Sequence, residues 1–136
     1  MPKATHEITA NIFPALRYKD APAAIESLSK AFGFETLMNV PNPDGSVAHA
    51  ELGLDSGAIM LGSQRNDPGN PWSEVKQGLY VYVSDVEDHY RRAKAAGAEI
   101  VRDLQDTPYG SKEYSARDPE GFLWSFGSYR PGDYQP

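Results

Sequence analysis

Hydrophobic positions along the chain fall into two similar runs. In the first, Ala21, Ala24, Ile25, Leu28, Ala31 and Phe32 recur at helical spacing, behind the N-cap candidate Asp20 and ahead of Gly33. Pro22 suits the first turn of that helix. An apolar stretch at 8–17 precedes it, and Pro14 inside that stretch predicts a strand with a free edge or a bulge. Strands are predicted at about 34–40, 47–54 and 58–62, separated by turns at 41–45 and 55–57. In the second run, 79–83 alternates aliphatic residues with tyrosine, Asp85 caps a helix striped by Val86, Tyr90, Ala93 and Ala96, and strands follow at about 99–104, 112–117 and 122–126. Phe32-Gly33-Phe34-Glu35 is echoed about 65 residues later by Ala96-Gly97-Ala98-Glu99.

Each half therefore reads β-α-β-β-β, an α+β arrangement in which one unit cannot cover both faces of its own sheet. The expected organisation is a single domain over 1–136: module one at about 8–63, a Gly/Pro/Asn/Ser-rich linker at 64–77, module two at about 78–129 and a polar tail at 130–136. Curved mixed sheets would surround a central cavity, with the helices on the convex side.

Composition narrows the classes of function. A net charge of −6 and a pI near 5.0 argue against a nucleic-acid partner, which needs cationic neutralisation of phosphate. The cluster Arg91-Arg92 with Lys94 reads as the wet face of a helix. No cysteine is present, so disulfides and thiolate chemistry are excluded and a cytoplasmic location is the default. No signal-peptide-like run opens the chain, and no stretch is apolar enough to predict a membrane span.

The duplicated unit resembles the vicinal oxygen chelate superfamily, which includes glyoxalase I, extradiol dioxygenases, methylmalonyl-CoA epimerase, fosfomycin-resistance enzymes and bleomycin-resistance binding proteins. The most specific stretch runs from Tyr109-Gly110 through Asp118-Pro119-Glu120-Gly121 into Phe122-Leu123-Trp124-Ser125-Phe126, and looks like that family's closing signature. Ala31-Phe32-Gly33-Phe34-Glu35 is similar to its first helix exit. As chemistry the signature is plain: Asp-Pro-Glu-Gly is a tight turn, and Trp124 alternates with Phe122 and Phe126 as core.

The resemblance implies a divalent metal held by four strand positions. Counted from the caps and turn glycines, these fall at Phe13, Met60 or Leu61, Leu79 and Ser125. Carbon side chains and a thioether cannot hold a hard cation, and a serine hydroxyl is a poor ligand. No metal site and no cofactor is expected, although a divalent metal is the family norm. His49 and Glu51, two apart on a strand, share a face and are the weak candidates for a displaced metal site or for catalysis, with Glu51 as base. His6 and His89 add little to such a site.

Candidate ligand-binding residues are Phe13, Arg17, His49, Glu51, Trp72, Leu79, Tyr114 and Ser125. Arg17 offers a fork of donors to an anionic or carbonyl-bearing group. Leu79, with Val81 and Val83, is expected to line the cavity, Tyr114 to occupy the position equivalent to His49, and Trp72 to fold over the opening or against a partner chain. Tyr80 and Tyr82 are expected to pack on the other face, and Gly53, Gly57 and Gly62 to serve turns and strand edges. The reading that follows is a small-molecule-binding protein holding an aromatic or carbonyl-bearing ligand in an apolar cavity, as a homodimer. The alternatives are a lyase, isomerase or dioxygenase-type enzyme with a relocated or absent metal site, and a structural dimer.

Overall fold

The computed structural model describes residues 7–10, 12–65, 76–108 and 110–130. Its elements run β1 (Ala15–Tyr18), α1 (Ala21–Phe32), β2 (Glu35–Pro41), β3 (Val47–Leu54), β4 (Gly57–Ser63), β5 (Gly78–Tyr82), α2 (Val86–Ala95), β6 (Glu99–Asp106), β7 (Lys112–Arg117) and β8 (Leu123–Gly127). The chain divides into two compact units, Met1–Lys76 and Gln77–Pro136, each a β-α-β-β-β module. Module 1 forms a four-stranded sheet in the order β1-β4-β3-β2, and module 2 repeats it as β5-β8-β7-β6. In both, the first strand runs parallel to the last and the other neighbours are antiparallel. Among the described residues no helix is long and apolar enough to cross a membrane.

Both helices start where the sequence places a cap. Asp20 accepts from the Ala23 N–H at 3.1 Å and Asp85 from the Asp88 N–H at 3.0 Å, each satisfying a donor the first turn leaves orphaned. At the exit of α1, Gly33 takes a left-handed φ of 83°, and its N–H bonds the Ser29 carbonyl at 3.2 Å. The apolar stripe of α1 buries against one face of its sheet, where Leu16, Tyr18, Ala50, Leu52, Ile59 and Leu61 are all buried. In module 2 the equivalent core is Tyr114, Ala116, Trp124 and Phe126 with Val86 and Ala93 of α2.

The first strand is shorter than the apolar run at 8–17 suggests. It begins after Pro14, whose missing N–H cannot join a ladder; the Pro14 carbonyl still accepts from Met60 N–H at 2.9 Å. The same proline sits tolerably because β1 is an edge strand.

The Asp-Pro-Glu-Gly signature is a structural clamp. One buried carboxylate, Asp118, accepts from the backbone N–H groups of Glu120 and Phe122, both at 3.0 Å, and from Trp124 Nε1 at 3.1 Å. Gly121 closes this turn at φ 93°, a conformation few other residues adopt without cost.

Candidate functional site

Each sheet has a helix-covered face and an open face, and strand alternation assigns every candidate to one of them. On module 1 the open face carries Arg17 from β1, His49 and Glu51 from β3 and Met60 from β4, with Met38 and Val40 exposed on the edge strand β2. Register aligns these as rows: Met38 lies beside Glu51, Glu51 beside Met60, and Met60 beside Ala15. Leu61 lies on the covered face and is buried, so Met60 is the open-face residue of that pair. Phe13 precedes β1 and is exposed.

Arg17 pairs in register with Gly62, and the two are in close approach. A Cβ at position 62 would come within 2.4 Å of Arg17 Nη1 and 3.1 Å of the Ala48 carbonyl oxygen. Gly62 is thus a residue inside β4 over which a guanidinium passes, where the sequence suggested a turn or strand edge. Among the described residues Arg17 makes no hydrogen bond or ion pair. It lines an open pocket of about 200 Å³ together with Ala15, Leu16, His49, Met60 and Leu61. His49 Nε2 lies 2.9 Å from Glu51 Oε2, and both side chains are partly exposed. The floor of this pocket is aliphatic and thioether surface; its polar groups are one guanidinium and one imidazole.

Module 2 places its candidates differently. Ser125 lies on the open face, 2.7 Å from the Ser115 hydroxyl. Leu79, expected there too, pairs with Trp124 and falls on the helix side; Tyr80 is the neighbour of Ser125. Tyr80 reaches across Gly127 with Glu113, which fixes that strand's orientation as the reverse of the one expected. Tyr114 is also away from the open face. It is fully buried under α2, its hydroxyl 2.6 Å from His89 Nδ1, and burial pushes its phenol well above the ordinary range. The residue equivalent to His49 is instead Glu113. Each lies eight residues before the turn glycine of its module, Gly57 or Gly121, and counting back from those glycines is the signal that finds it. Glu113 is buried and receives Arg102 Nη2 at 3.0 Å, while Tyr80 Oη donates to the Tyr129 carbonyl. Trp72 lies outside the described residues.

The positions that would hold a divalent ion do not fit one. Met60, Tyr80 and Ser125 on the open faces and Phe13 ahead of β1 offer neither imidazole nor carboxylate. Among the described residues no group of three or more His, Asp or Glu side chains is placed to hold a metal ion.

Two tandem β-α-β-β-β modules, each a four-stranded sheet with one helix against one face, are the architecture of the vicinal oxygen chelate class. The chain belongs to the Glyoxalase/Bleomycin resistance protein/Dioxygenase superfamily, which it matches over residues 10–126. It is 33% identical over 121 residues to the uncharacterized protein Mb0911c of Mycobacterium bovis, spanning 84% of this chain and 80% of that one. Among solved structures it is similar to TioX from Micromonospora sp. ML1, with 34% identity, a TM-score of 0.73, and 93% and 100% of the two chains covered. It is also similar to lactoylglutathione lyase from Agrobacterium tumefaciens, with 25% identity, a TM-score of 0.66, and 88% and 92% covered.

Proposed function

We propose that this protein captures a small aromatic or carbonyl-bearing molecule on the open face of module 1 and releases it chemically unchanged, with no divalent metal in the site. The observation that carries the reading is the pocket around Arg17: an apolar floor built by Ala15 and Met60, and an arginine that makes no hydrogen bond or ion pair among the described residues. Apolar surface supplies affinity by leaving water, and a few placed polar groups fix orientation. An unpaired guanidinium is a donor set waiting for an acceptor. Similarity to a lactoylglutathione lyase does not transfer that activity, because a metal-polarised carbonyl needs ligands these positions lack.

A second reading has one observation in its favour. His49 and Glu51 are hydrogen-bonded at 2.9 Å and His49 lines the pocket, so a carboxylate-oriented imidazole could take a proton from a bound substrate. Thermal-shift screening of aromatic carbonyl compounds, followed by chromatography of each bound compound, separates the two readings. A raised melting transition with the compound recovered intact supports capture. Turnover abolished by Glu51→Gln supports the enzyme. Stoichiometric metal retained by the purified protein would contradict the metal-free site.

A further inference from the structure

The space around Arg17 continues beyond the apolar floor. Arg17 also lines a second, more polar pocket of about 480 Å³, whose walls include Arg65, Asn42, Asp44, Ser46 and Ser63. These walls are tied down. Asn42 Nδ2 donates to Ser46 Oγ at 2.9 Å, and Ser46 donates to Asp44 Oδ1 through its N–H at 2.9 Å and its hydroxyl at 2.5 Å. Val47 N–H donates to Ser63 Oγ at 2.8 Å, and Gln64 N–H to the Tyr18 carbonyl at 2.8 Å, which anchors the segment that carries Arg65.

The charges do not balance within this pocket. Among the described residues neither Arg17 nor Arg65 has an ion-pair partner. Asp44, the pocket's one carboxylate, is occupied by both Ser46 donors, and those hydrogen bonds hold it below the usual carboxylate range, the hydroxyl contributing most. Two guanidiniums against one satisfied carboxylate leave one positive charge without a counterpart among the described residues of the pocket, in a chain whose net charge is −6. A long-range field of that sign repels anions, so the attraction is confined to this spot.

We propose that this pocket is an anion subsite, and that the ligand of module 1 is an aromatic monocarboxylate whose ring occupies the apolar pocket while its carboxylate lies between Arg17 and Arg65. The inference rests on the capture reading given above. A planar carboxylate suits the bidentate fork of an arginine. A single surplus positive charge matches a monoanion, whereas a phosphate dianion would leave one negative charge facing Asp44.

Calorimetric titration with 1-naphthoate, 2-naphthoate and indole-3-carboxylate, each beside its primary amide, tests this directly. The acids are expected to bind at least about tenfold more tightly than the amides, with the preference shrinking at high salt. Arg65→Gln, at an exposed side chain, brings the ratio of acid to amide affinity toward one, and Arg65→Lys keeps part of it. Equal affinity of acids and amides for the wild-type protein would overturn the anion subsite and leave capture standing. No binding by any of the six compounds would overturn both. An acid preference that survives Arg65→Gln at full size would overturn the assignment to this pocket, as would tighter binding of 2-naphthyl phosphate than of 2-naphthoate.

Discussion

The two modules share strand order, pairing and caps, yet their open faces solve opposite problems. Module 2 satisfies its own polar groups there: Arg102 meets Glu113, Ser115 meets Ser125, and Tyr80 meets the Tyr129 carbonyl. In module 1 Arg17 stands beside aliphatic surface with no hydrogen-bond or ion-pair partner among the described residues. The glycine rows make the contrast sharp. Gly62 and Gly127 sit at matching positions, each beneath a long side chain, but Gly127 lies under the ion-paired Glu113 and Gly62 under Arg17, which makes no hydrogen bond or ion pair among the described residues. One scaffold thus carries a face whose polar groups satisfy one another and a face where, among the described residues, a guanidinium has no such partner.

Substitutions sharpen that division, beginning with the largest effect. Asp118→Ala in module 2 strands three donors, two of them in buried hydrogen bonds, and is expected to cost about 3 kcal/mol in denaturant unfolding. Loss of less than about 1 kcal/mol would remove the clamp from the account. Arg102→Met leaves Glu113 buried without its cation and is expected to cost about 2 kcal/mol, discounted because Arg102 is itself partly exposed. Tyr114→Phe removes the hydrogen bond to His89, at about 1 kcal/mol near neutral pH. It also changes the alkaline limb. The folded-state phenol is raised above its unfolded value, so the wild-type stability present below about pH 10 declines as pH rises past it, and the variant is expected to lack this component. A wild type and variant with parallel alkaline profiles would refute that.

The matched glycines give a paired test. Gly127→Ala drives a Cβ to 2.5 Å from Glu113 Cγ and 2.8 Å from Tyr80 Oη, so it is expected to destabilise more than Gly62→Ala, where Arg17 can move aside. Smallest of all, Arg17→Ala is expected to change stability by no more than about 0.5 kcal/mol while weakening ligand binding. A large loss of stability would mean that Arg17 is structural.

Much of the fold was legible because helix ends depend on local chemistry. Asp20, Asp85 and Gly33 mark boundaries through side-chain acceptors and a left-handed torsion, which need no tertiary context. Facing was harder, since one residue of slip inverts a whole strand. The aliphatic–tyrosine alternation at 79–83 is equally good in either orientation, and the pairing of Leu79 with buried Trp124, with Tyr80 reaching over Gly127, decides it. Tyr114 was misplaced for the same reason: spacing taken from the wrong reference put it on the face that Glu113 occupies. The facing of Arg17, His49 and Glu51 was legible because apolar residues that turn out buried alternate with them, Leu16 and Tyr18 around Arg17 and Ala50 and Leu52 around Glu51. Arg65 was not, because its role comes from a pocket wall that no local pattern encodes.

The central claim is capture by module 1 without a metal ion. Calorimetric titration of chelator-treated protein with the compound giving the largest thermal shift tests it most directly. The account predicts one-to-one binding of equal affinity before and after chelation, abolished or strongly weakened by Arg17→Ala, with the compound recovered intact. Binding restored only by adding a divalent cation, or a compound consumed during the titration, would contradict it.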